Sequence, residues 1–342
     1  MRVLLAPDKF AGTLTALEVC DAARAGWHDT APKDIVTTQP MSDGGPGFVG
    51  ALAAAAGGSA SVMSVPTTGP HGEPIAAQLV VVGDESTAYL EAAQCCGLGL
   101  SDLEPRPIDA TTSGMVPLLQ AALDSGVKRV VIGVGGTAST DGGRPVVEAF
   151  DGTWPPAVEL VVATDVENPL LGPAGAARSF ATQKGASDAE VTALEHRLVA
   201  WASGADVDPN APGAGAGGGL GYGLMRLGAR RVSGAALVAD AIGLDAKIAA
   251  ADVVVTGEGQ LDFSSLRGKV AVFVAGRCLA ASTPCVALAG TSSLGRREAS
   301  ANGFDEIYSL ADLVGAGEAL EHAAASVRRV AAGVARDWSR PR

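Results

Sequence analysis

Five times in this chain an acidic residue stands in a glycine-rich turn that follows aliphatic residues, and this pattern constrains the fold most. The segments are VLLAPDKFAGT (3–13), MSDGGPG (41–47), VVIGVGGTASTDGG (130–143), LVVATDVENPLLG (160–172) and VVVTGEGQLD (253–262). An aliphatic run followed by a glycine turn is typical of a buried parallel strand that ends at a surface loop. Open α/β sheets bind ligands at those strand ends, where glycines admit phosphate and carboxylates hold Mg²⁺. The pattern predicts an enzyme that handles a phosphorylated, metal-bound substrate.

Composition excludes several other classes of protein. The net charge of −12 over 342 residues disfavours nucleic acids and anionic membranes as partners. The five cysteines form no CxxC pair and the four histidines form no HExxH, so neither a disulfide framework nor a zinc site is expected. The most apolar stretch, 48–63, is too short and too interrupted to span a bilayer. The opening MRVLLAPDKF has the pattern of a first strand and not of a signal peptide, so we expect a soluble, cytoplasmic protein.

The chain lacks one common nucleotide-binding motif and contains a second in an unsuitable position. The pattern GxxxxGK[ST] is absent, which excludes a P-loop NTPase. A GxGxxG string occurs at residues 213–218, but it follows VDPNAP, which cannot be a strand, so it does not predict dinucleotide binding. The loop remains a candidate phosphate cradle, with Gly215 and Gly217 as candidate binding residues, because the sequence after it can begin a helix with free N–H groups.

Strands and helices alternate near both ends of the chain, whereas residues 60–92 contain adjacent strand-like runs separated by turn residues. The alternation predicts a parallel sheet, and the middle predicts a mixed or antiparallel one. We therefore expect two α/β domains. A discontinuous Rossmann-like domain would comprise 1–65 and 244–342, and an inserted mixed-sheet domain would comprise 66–243, with the active site in the cleft between them. Two sequential domains would explain the periodicity nearly as well.

Carboxylates at the predicted strand ends are the first candidate site residues. Asp8 and Asp165 are expected to be either the hydroxyl base or Mg²⁺ ligands, with a simple turn or cap as the alternative for Asp8. Asp43, in the turn with Gly44 and Gly45, binds metal or forms an Asx-turn. Asn168 binds substrate or Mg²⁺, or closes a turn before Pro169. Glu258 and Asp262 flank a further turn, and Asp141 is a weaker candidate that could be only a helix entrance.

Cations are needed because a strongly acidic protein must attract an anionic substrate through a local positive pocket. The chain has six lysines, and three of them stand in or beside glycine motifs, which favours a role near phosphate or carboxylate over simple solvent exposure. Lys269 also stands where a helix would begin, against the helix dipole. The candidate anion-binding groups are Lys9, Lys184, Arg267, Lys269 and the backbone of Gly135, Gly136 and Thr137.

Seven segments together resemble successive blocks of the glycerate kinase family. They are APDKFAGTLTA, MSDGGPG, TTGPHGEP, GVGGTASTDGG, ATDVENPLLGPAGAARSFATQKGA, PGAGAGGGLGYGL and VVTGEGQLDFSSLRGK, and they occur in family order across residues 3 to about 290. The resemblance implies two α/β domains with the active site between them, one of them Rossmann-like and discontinuous. It also implies transfer of the γ-phosphoryl group of ATP, with Mg²⁺, to D-glycerate, in most members giving 2-phosphoglycerate.

Two departures from the family pattern keep alternatives open. The family usually carries a lysine after the phenylalanine of the first block, whereas this chain has Ala11 there and a lysine at Lys9. The segment 144–160 is shorter than the corresponding family region. A kinase of another small hydroxy acid and a non-catalytic hydroxy-acid sensor therefore remain as alternatives. The retained carboxylates argue against the sensor, and a homodimer is left open as the assembly.

Overall fold

The structure, a computed structural model, describes residues 1–83, 86–100, 106–263 and 265–339. The strands are β1 Arg2–Leu5, β2 Ile35–Thr38, β3 Ala60–Thr68, β4 Pro74–Val82, β5 Thr87–Glu91, β6 Arg129–Gly133, β7 Glu159–Ala163, β8 Arg230–Val232, β9 Val253–Leu261, β10 Cys285–Ser292 and β11 Glu306–Ser309. The helices are α1 Ala16–Thr30, α2 Phe48–Ala56, α3 Ala93–Cys96, α4 Met115–Asp124, α5 Arg144–Ala149, α6 Ala176–Phe180, α7 Asp188–Ala202, α8 Leu220–Arg226, α9 Gly234–Ile242, α10 Leu244–Ala250, α11 Val270–Ala281, α12 Arg296–Ala301, α13 Leu310–Val314, α14 Ala316–Glu321 and α15 Ala323–Trp338.

The chain divides into two compact units. The first comprises Met1–Ser42 and Val238–Arg342, and the second comprises Asp43–Leu237. The first boundary lies earlier than the predicted position between 65 and 66, which falls inside β3. The reason is that β3 pairs along its whole length with β4 and therefore belongs to the sheet of the second unit. The second boundary lies a few residues before the predicted position at 243 and 244.

The first unit contains a five-stranded sheet in the order β11-β10-β9-β1-β2, in which every neighbouring pair is parallel. Counted within this unit, the strand order is 2-1-3-4-5, as in flavodoxin-like doubly wound sheets. The order reverses between β1 and β9, so the carboxyl ends of these two strands flank the topological switch point. The predicted parallel α/β domain is confirmed, and its ligand crevice is expected beside the ends of β1 and β9.

Helix α1 returns the chain from β1 to β2 and begins with a capping box formed by Thr15 and Glu18. The Thr15 hydroxyl accepts from the Glu18 N–H at 3.2 Å, and the Glu18 carboxylate accepts from the Thr15 N–H at 2.8 Å. Apolar residues of α1 and α15 pack with alternate residues of β1, β9 and β10 to form one core. This layer holds β1, and therefore the turn that follows it, in a fixed position.

The second unit contains a six-stranded mixed sheet in the order β3-β4-β5-β6-β7-β8. Strand β4 pairs antiparallel with both β3 and β5, as the turn-separated runs in residues 60–92 predicted, and β5 to β8 are parallel. Nearly continuous aliphatic sequence in β6 and β7 is buried on both faces, which is typical of parallel strands. The loops after β5, β6 and β7 consequently emerge at one edge of this sheet.

The C-terminal helical segment is divided at His322 into α14 and α15. At the division, the carbonyl of Glu318 accepts both the His322 N–H and the Ser326 hydroxyl. Those two donors satisfy the end of α14 and allow α15 to begin separately. Among the described residues, no helix combines the length and apolar character needed to cross a membrane.

Candidate functional site

The SDGG turn packs against the ends of two parallel strands in the second unit. The Asp43 Oδ1 atom accepts from the Gly45 N–H at 3.0 Å, so the Asx-turn that the sequence left open is formed. The Gly44 carbonyl accepts from the Gly135 N–H at 3.0 Å. Gly44 has a φ of +91°, and a Cβ there would collide with the carbonyl of Ala163 at the end of β7. Glycine at 44 is therefore required by close packing of backbone on backbone.

A pocket of about 130 Å³ in the second unit collects several of the predicted binding residues, and we call it the glycine pocket. Its wall includes Gly218, whose φ is +66° and whose Cβ, if present, would collide with the carbonyl of Ser139. This approach brings the GxGxxG loop against the loop after β6. The predicted residues that line the glycine pocket are Gly135, Gly136, Thr137, Lys184 and Gly217.

Lys184 is the buried cation of the glycine pocket. The residue is 5% exposed, and its Nζ donates to the Ser139 carbonyl at 2.6 Å, the one acceptor found for it among the described residues. Burial lowers the pKa of the Lys184 ammonium to about 8, against the opposing effect of Asp141. The buried hydroxyls of Thr137, Ser139 and Thr140 have no hydrogen-bond partner within the part of the chain that the structure describes. Such groups are costly unless a ligand satisfies them.

Asp165 and Asn168 lie in the loop after β7. The Asp165 Oδ2 atom accepts from the Ala235 N–H at 3.0 Å, and burial, with the charge of Asp43, raises the pKa of this carboxyl. The Asn168 amide nitrogen donates to the Ala174 carbonyl at 2.8 Å and to the Ser179 hydroxyl at 3.2 Å. Asn168 thus organises its own loop through its N–H groups. The backbone carbonyl of Asn168 accepts from the Gly215 N–H at 2.9 Å, and this bond joins the loop to the GxGxxG segment.

Asp141 has a structural role in this unit. Its carboxylate accepts from the N–H and the hydroxyl of Thr112 at 2.7 and 3.0 Å, and from the N–H of Gly143 at 3.0 Å. These contacts tie the segment before α4 to the entrance of α5. The helix-entrance interpretation of Asp141 is therefore supported by its hydrogen bonds, although its charge also acts on Lys184.

Asp8 and Lys9 lie in the turn after β1 in the first unit. The Asp8 Oδ1 atom accepts from the Lys9 N–H at 2.8 Å and lies 3.5 Å from Lys9 Nζ. The Asp8 N–H donates to the Gly257 carbonyl at 2.8 Å, so this turn contacts the carboxyl half of β9. A carboxylate and an ammonium are consequently present beside the switch point of the parallel sheet, where the strand order predicts a ligand.

Glu258, on β9, forms the second ion pair of this region. Its Oε2 atom lies 3.4 Å from the Nζ of Lys269, and the Lys269 side chain is 40% exposed. The Glu258 Oε1 atom is buried and has no partner in the described ranges of the chain. Burial raises the pKa of Glu258, and Lys269 opposes that change. The Asp262 carboxylate accepts from the Gln260 amide at 2.9 Å and the Ser265 N–H at 3.3 Å, so it shapes the following turn.

The metal predictions at Asp8 and Asp43 stay predictions. Across residues 1–83, 86–100, 106–263 and 265–339, no three His, Cys, Asp or Glu side chains are grouped closely enough to hold a metal ion. The two aspartates belong to different units, and each has one oxygen that accepts a local N–H. The side chain of Arg267, a predicted anion-binding group, lies outside what the structure describes.

Sequence reasoning missed a second pocket, which we call the histidine pocket. It has a volume of about 60 Å³, and its lining includes His71, Gly97, Leu98, Arg106, Ala138 and Lys184. Lys184 and Leu98 line both pockets of this unit. His71 stands in the TTGPHGEP segment, which is one of the segments that resemble the family. A single histidine in a turn forms no motif with other residues, so the sequence alone did not indicate that it lines a pocket.

Comparisons with known proteins agree with the sequence resemblance. The model of the glycerate kinase family matches residues 3–154 and 153–339. A glycerate kinase of Bacillus subtilis is 33% identical, covering 98% of this chain and 97% of the relative, and a glycerate 2-kinase of Escherichia coli is 34% identical, covering 92% of each. A crystal structure from Salmonella typhimurium LT2, provisionally assigned as glycerate kinase 2, aligns with a TM-score of 0.76 at 31% identity, over 99% of this chain and 98% of that one. The chain belongs to the glycerate kinase family.

Proposed function

We propose that this protein transfers the γ-phosphoryl group of ATP to the 2-hydroxyl of D-glycerate. Membership of the glycerate kinase family supports the reaction type, and the match to an Escherichia coli glycerate 2-kinase supports the position of transfer. The parallel sheet of the first unit and the loop cluster of the second are both of the kind that binds small anionic ligands at strand ends.

The observation that carries the proposal is Lys184 at the glycine pocket. An ammonium that is 5% exposed and contacts a carbonyl, with no carboxylate within bonding distance among the described residues, would be stabilised by an anionic ligand. The pocket volume of about 130 Å³ is below the 300–1,000 Å³ or so of pockets for drug-sized ligands, so it suits a small acid better than a nucleotide. Lys184, with the N–H groups of Gly136 and Thr137 and the Thr137 hydroxyl, would hold glycerate.

Phosphoryl transfer requires an oriented acceptor hydroxyl and neutralisation of the charge on the transferred group. Asp165 would accept the hydroxyl proton. The Ala235 N–H fixes the orientation of its carboxylate, and burial raises its pKa towards the range useful for a base. Lys184 would offset negative charge on the acid, which lets the hydroxyl approach the phosphate.

ATP and Mg²⁺ are proposed to use carboxylates and lysines of the first unit. The donor set fits Mg²⁺, which is usually bound through one or two carboxylates together with phosphate oxygens. Asp8 and Glu258 offer such oxygens, and Glu258 Oε1 is buried without a partner among the residues described. When bound, Mg²⁺ would neutralise charge on the phosphates. Lys9 and Lys269 would contact phosphate oxygens as compact cations.

The proposal is tested by a coupled assay with Mg²⁺–ATP and a panel of hydroxy acids that includes both glycerate enantiomers, lactate and glycolate. We expect D-glycerate to be the preferred acceptor, and NMR of the product to show phosphorus coupling at carbon 2. Coupling at carbon 3 would correct the position, and preference for another acid would correct the substrate. Full activity in excess EDTA would remove the metal from the proposal.

Two variants distinguish the proposed base from the proposed Mg²⁺ ligand. We expect Asp165→Asn to lower kcat by about 100-fold with little change in the Mg²⁺ concentration for half-maximal rate, because the base is lost. We expect Asp8→Asn to raise that Mg²⁺ concentration instead. Rates measured against Mg²⁺ for both variants decide the matter. The opposite pattern would reverse the two roles, and no effect from either change would remove both residues from the mechanism.

A further inference from the structure

The histidine pocket adjoins the glycine pocket through two shared residues. Lys184 and Leu98 line both pockets, so the lysine contributes to the wall of each. The two linings differ in chemistry. The glycine pocket offers backbone N–H groups and the Thr137 hydroxyl, whereas the histidine pocket adds two side chains that carry or can carry positive charge, His71 and Arg106.

His71 is placed in its pocket by the turn between β3 and β4. The His71 N–H donates to Glu73 Oε2 at 3.0 Å, and the Gly69 N–H donates to the Glu73 carbonyl at 2.8 Å. These bonds fix the turn through backbone groups and the Glu73 carboxylate, and neither of them uses the imidazole ring. The Nδ1 atom is buried and has no hydrogen-bond partner in the described part of the chain. A buried imidazole nitrogen without a partner indicates a group that is supplied by a ligand or by water.

Arg106 reaches the same pocket from a separate segment. The N–H groups of Asp109 and Ala110 donate to the Arg106 carbonyl at 3.0 and 3.2 Å, which closes a turn after it. This turn is tied to the His71 turn because the Thr111 N–H donates to the Pro70 carbonyl at 2.9 Å. Arg106 is exposed, and no described residue forms an ion pair with it. Its geometry suits a carboxylate, which it can bind with two parallel N–H bonds.

We propose that the histidine pocket is the carboxylate subsite for the hydroxy acid, with Arg106 and His71 as the residues that select an acid over a neutral polyol. The inference rests on the proposed function, because it places the carboxylate of that substrate. A volume of about 60 Å³ accommodates a carboxylate but not a nucleotide. Lys184 lies between the two pockets, so a substrate whose carboxylate is bound by Arg106 directs its hydroxyl end towards the glycine pocket.

The test uses Arg106→Ala and His71→Gln, with Arg230→Ala as the matched control. Arg230 is an exposed arginine of the same unit that pairs with Glu159 at the start of β8. We expect Arg106→Ala to raise the KM for D-glycerate by about 10- to 100-fold, because a charge-assisted hydrogen bond is lost. His71→Gln should raise it less, and Arg230→Ala should not change it. The KM for ATP should stay within about twofold in all three variants.

The selectivity for D-glycerate over glycerol is a second measurement, and it should not change if Arg106 has only a structural role. For Arg106→Ala, the ratio of kcat/KM for D-glycerate to that for glycerol should fall by the same factor as the KM rises. Arg106→Lys should restore part of the ratio, because it keeps the charge but not the two-pronged geometry. Wild-type KM and selectivity in both Arg106→Ala and His71→Gln would overturn the subsite while leaving the proposed function intact.

Binding of a small acid measured without ATP tests the carboxylate subsite independently of the proposed kinase activity. Glycolate should raise the thermal unfolding midpoint of the wild-type protein, ethylene glycol should not, and Arg106→Ala should lose the glycolate effect. If the wild type does not phosphorylate glycerate, the proposed function fails and this binding result alone decides the subsite. No stabilisation of the wild type by glycolate, or equal stabilisation of Arg106→Ala, would then overturn it.

Discussion

Lys184 and Lys269 both stand beside a glycine, yet the two units treat these cations differently. Lys184 is 5% exposed and donates to a carbonyl, whereas the Lys269 side chain is 40% exposed and pairs with the Glu258 carboxylate at 3.4 Å. The buried Glu258 carboxylate offsets the charge of Lys269, so this ammonium does not stand as an isolated charge. A buried ammonium without a bonded carboxylate leaves positive charge in the pocket. This difference supports the proposal that the second unit binds the anionic acid.

Among the candidate site carboxylates, Glu258 of the first unit differs from the three aspartates of the second. In the second unit, Asp43, Asp141 and Asp165 each accept backbone N–H groups. In the first unit, Glu258 keeps a buried Oε1 atom with no partner among the described residues, and burial raises the pKa of its carboxyl. An unsatisfied buried oxygen favours a cation or a proton donor. This difference is why we propose anion binding in the second unit and cation-assisted phosphate binding in the first.

The largest effect is expected for Lys184→Met, which removes the buried charge while keeping a long side chain. We expect kcat/KM for D-glycerate to fall by about 1,000-fold, since both orientation and charge neutralisation are lost. The protein should become more stable. The lowered pKa corresponds to a cost of roughly 3 kcal/mol for the charged form. Loss of the hydrogen bond to Ser139 returns about 1 kcal/mol, so the unfolding free energy at pH 7 should rise by about 2 kcal/mol.

Lys128→Met is the control for this prediction, because Lys128 is an exposed lysine of the same unit. Steady-state kinetics and urea denaturation of the two variants should be measured together. A Lys184→Met protein that is less stable than the wild type would show that the ammonium supports the fold. A stable variant with normal activity would end the assignment of anion binding to this residue.

Sequence reasoning located Lys184 and could not establish its environment. A rare lysine beside a glycine is visible in the chain, but its burial depends on Ser139, which lies 45 positions earlier. Sequence reasoning also could not establish why a particular glycine is needed. Gly44 was predicted to bind a ligand, yet it is required by contact with the Ala163 carbonyl, and glycine permits either close approach equally. Strand ends and sheet type were predictable because aliphatic runs and turns are local signals.

The second prediction concerns Lys9, because the family lysine near it is replaced by Ala11. Lys9→Ala should lower kcat/KM by about 100-fold if this ammonium contacts phosphate, and it leaves Asp8 without its neighbouring charge. Adding Ala11→Lys to that variant should recover part of the loss. Lys33→Ala, an exposed lysine of the same unit, is the control. Unchanged kinetics in a folded Lys9→Ala protein would show that Ala11 has no functional substitute here.

A smaller effect is expected for Glu258→Gln. The change keeps the shape of the side chain and removes the charge that pairs with Lys269. We expect the KM for Mg²⁺–ATP to rise by about 30-fold while the KM for D-glycerate is unchanged, which corresponds to one lost charge-assisted contact. Glu321→Gln, at an exposed helix position in the same unit, serves as control. A rise in the KM for glycerate alone would contradict the division of labour between the units.

The smallest effect is a pH dependence that comes from Lys184. Its pKa in the free protein is about 8, below the 10.5 of an exposed lysine. Above pH 8 the pocket loses its charge, so the KM for D-glycerate should rise by about tenfold near pH 9. Between pH 8 and 10.5 the unfolded chain binds more protons than the folded one, so this residue makes stability rise with pH there. Lys184→Arg keeps its charge, so any activity that this variant retains should lack the rise in KM. A wild-type KM that is constant from pH 7 to 9 would show that the ammonium does not bind the substrate.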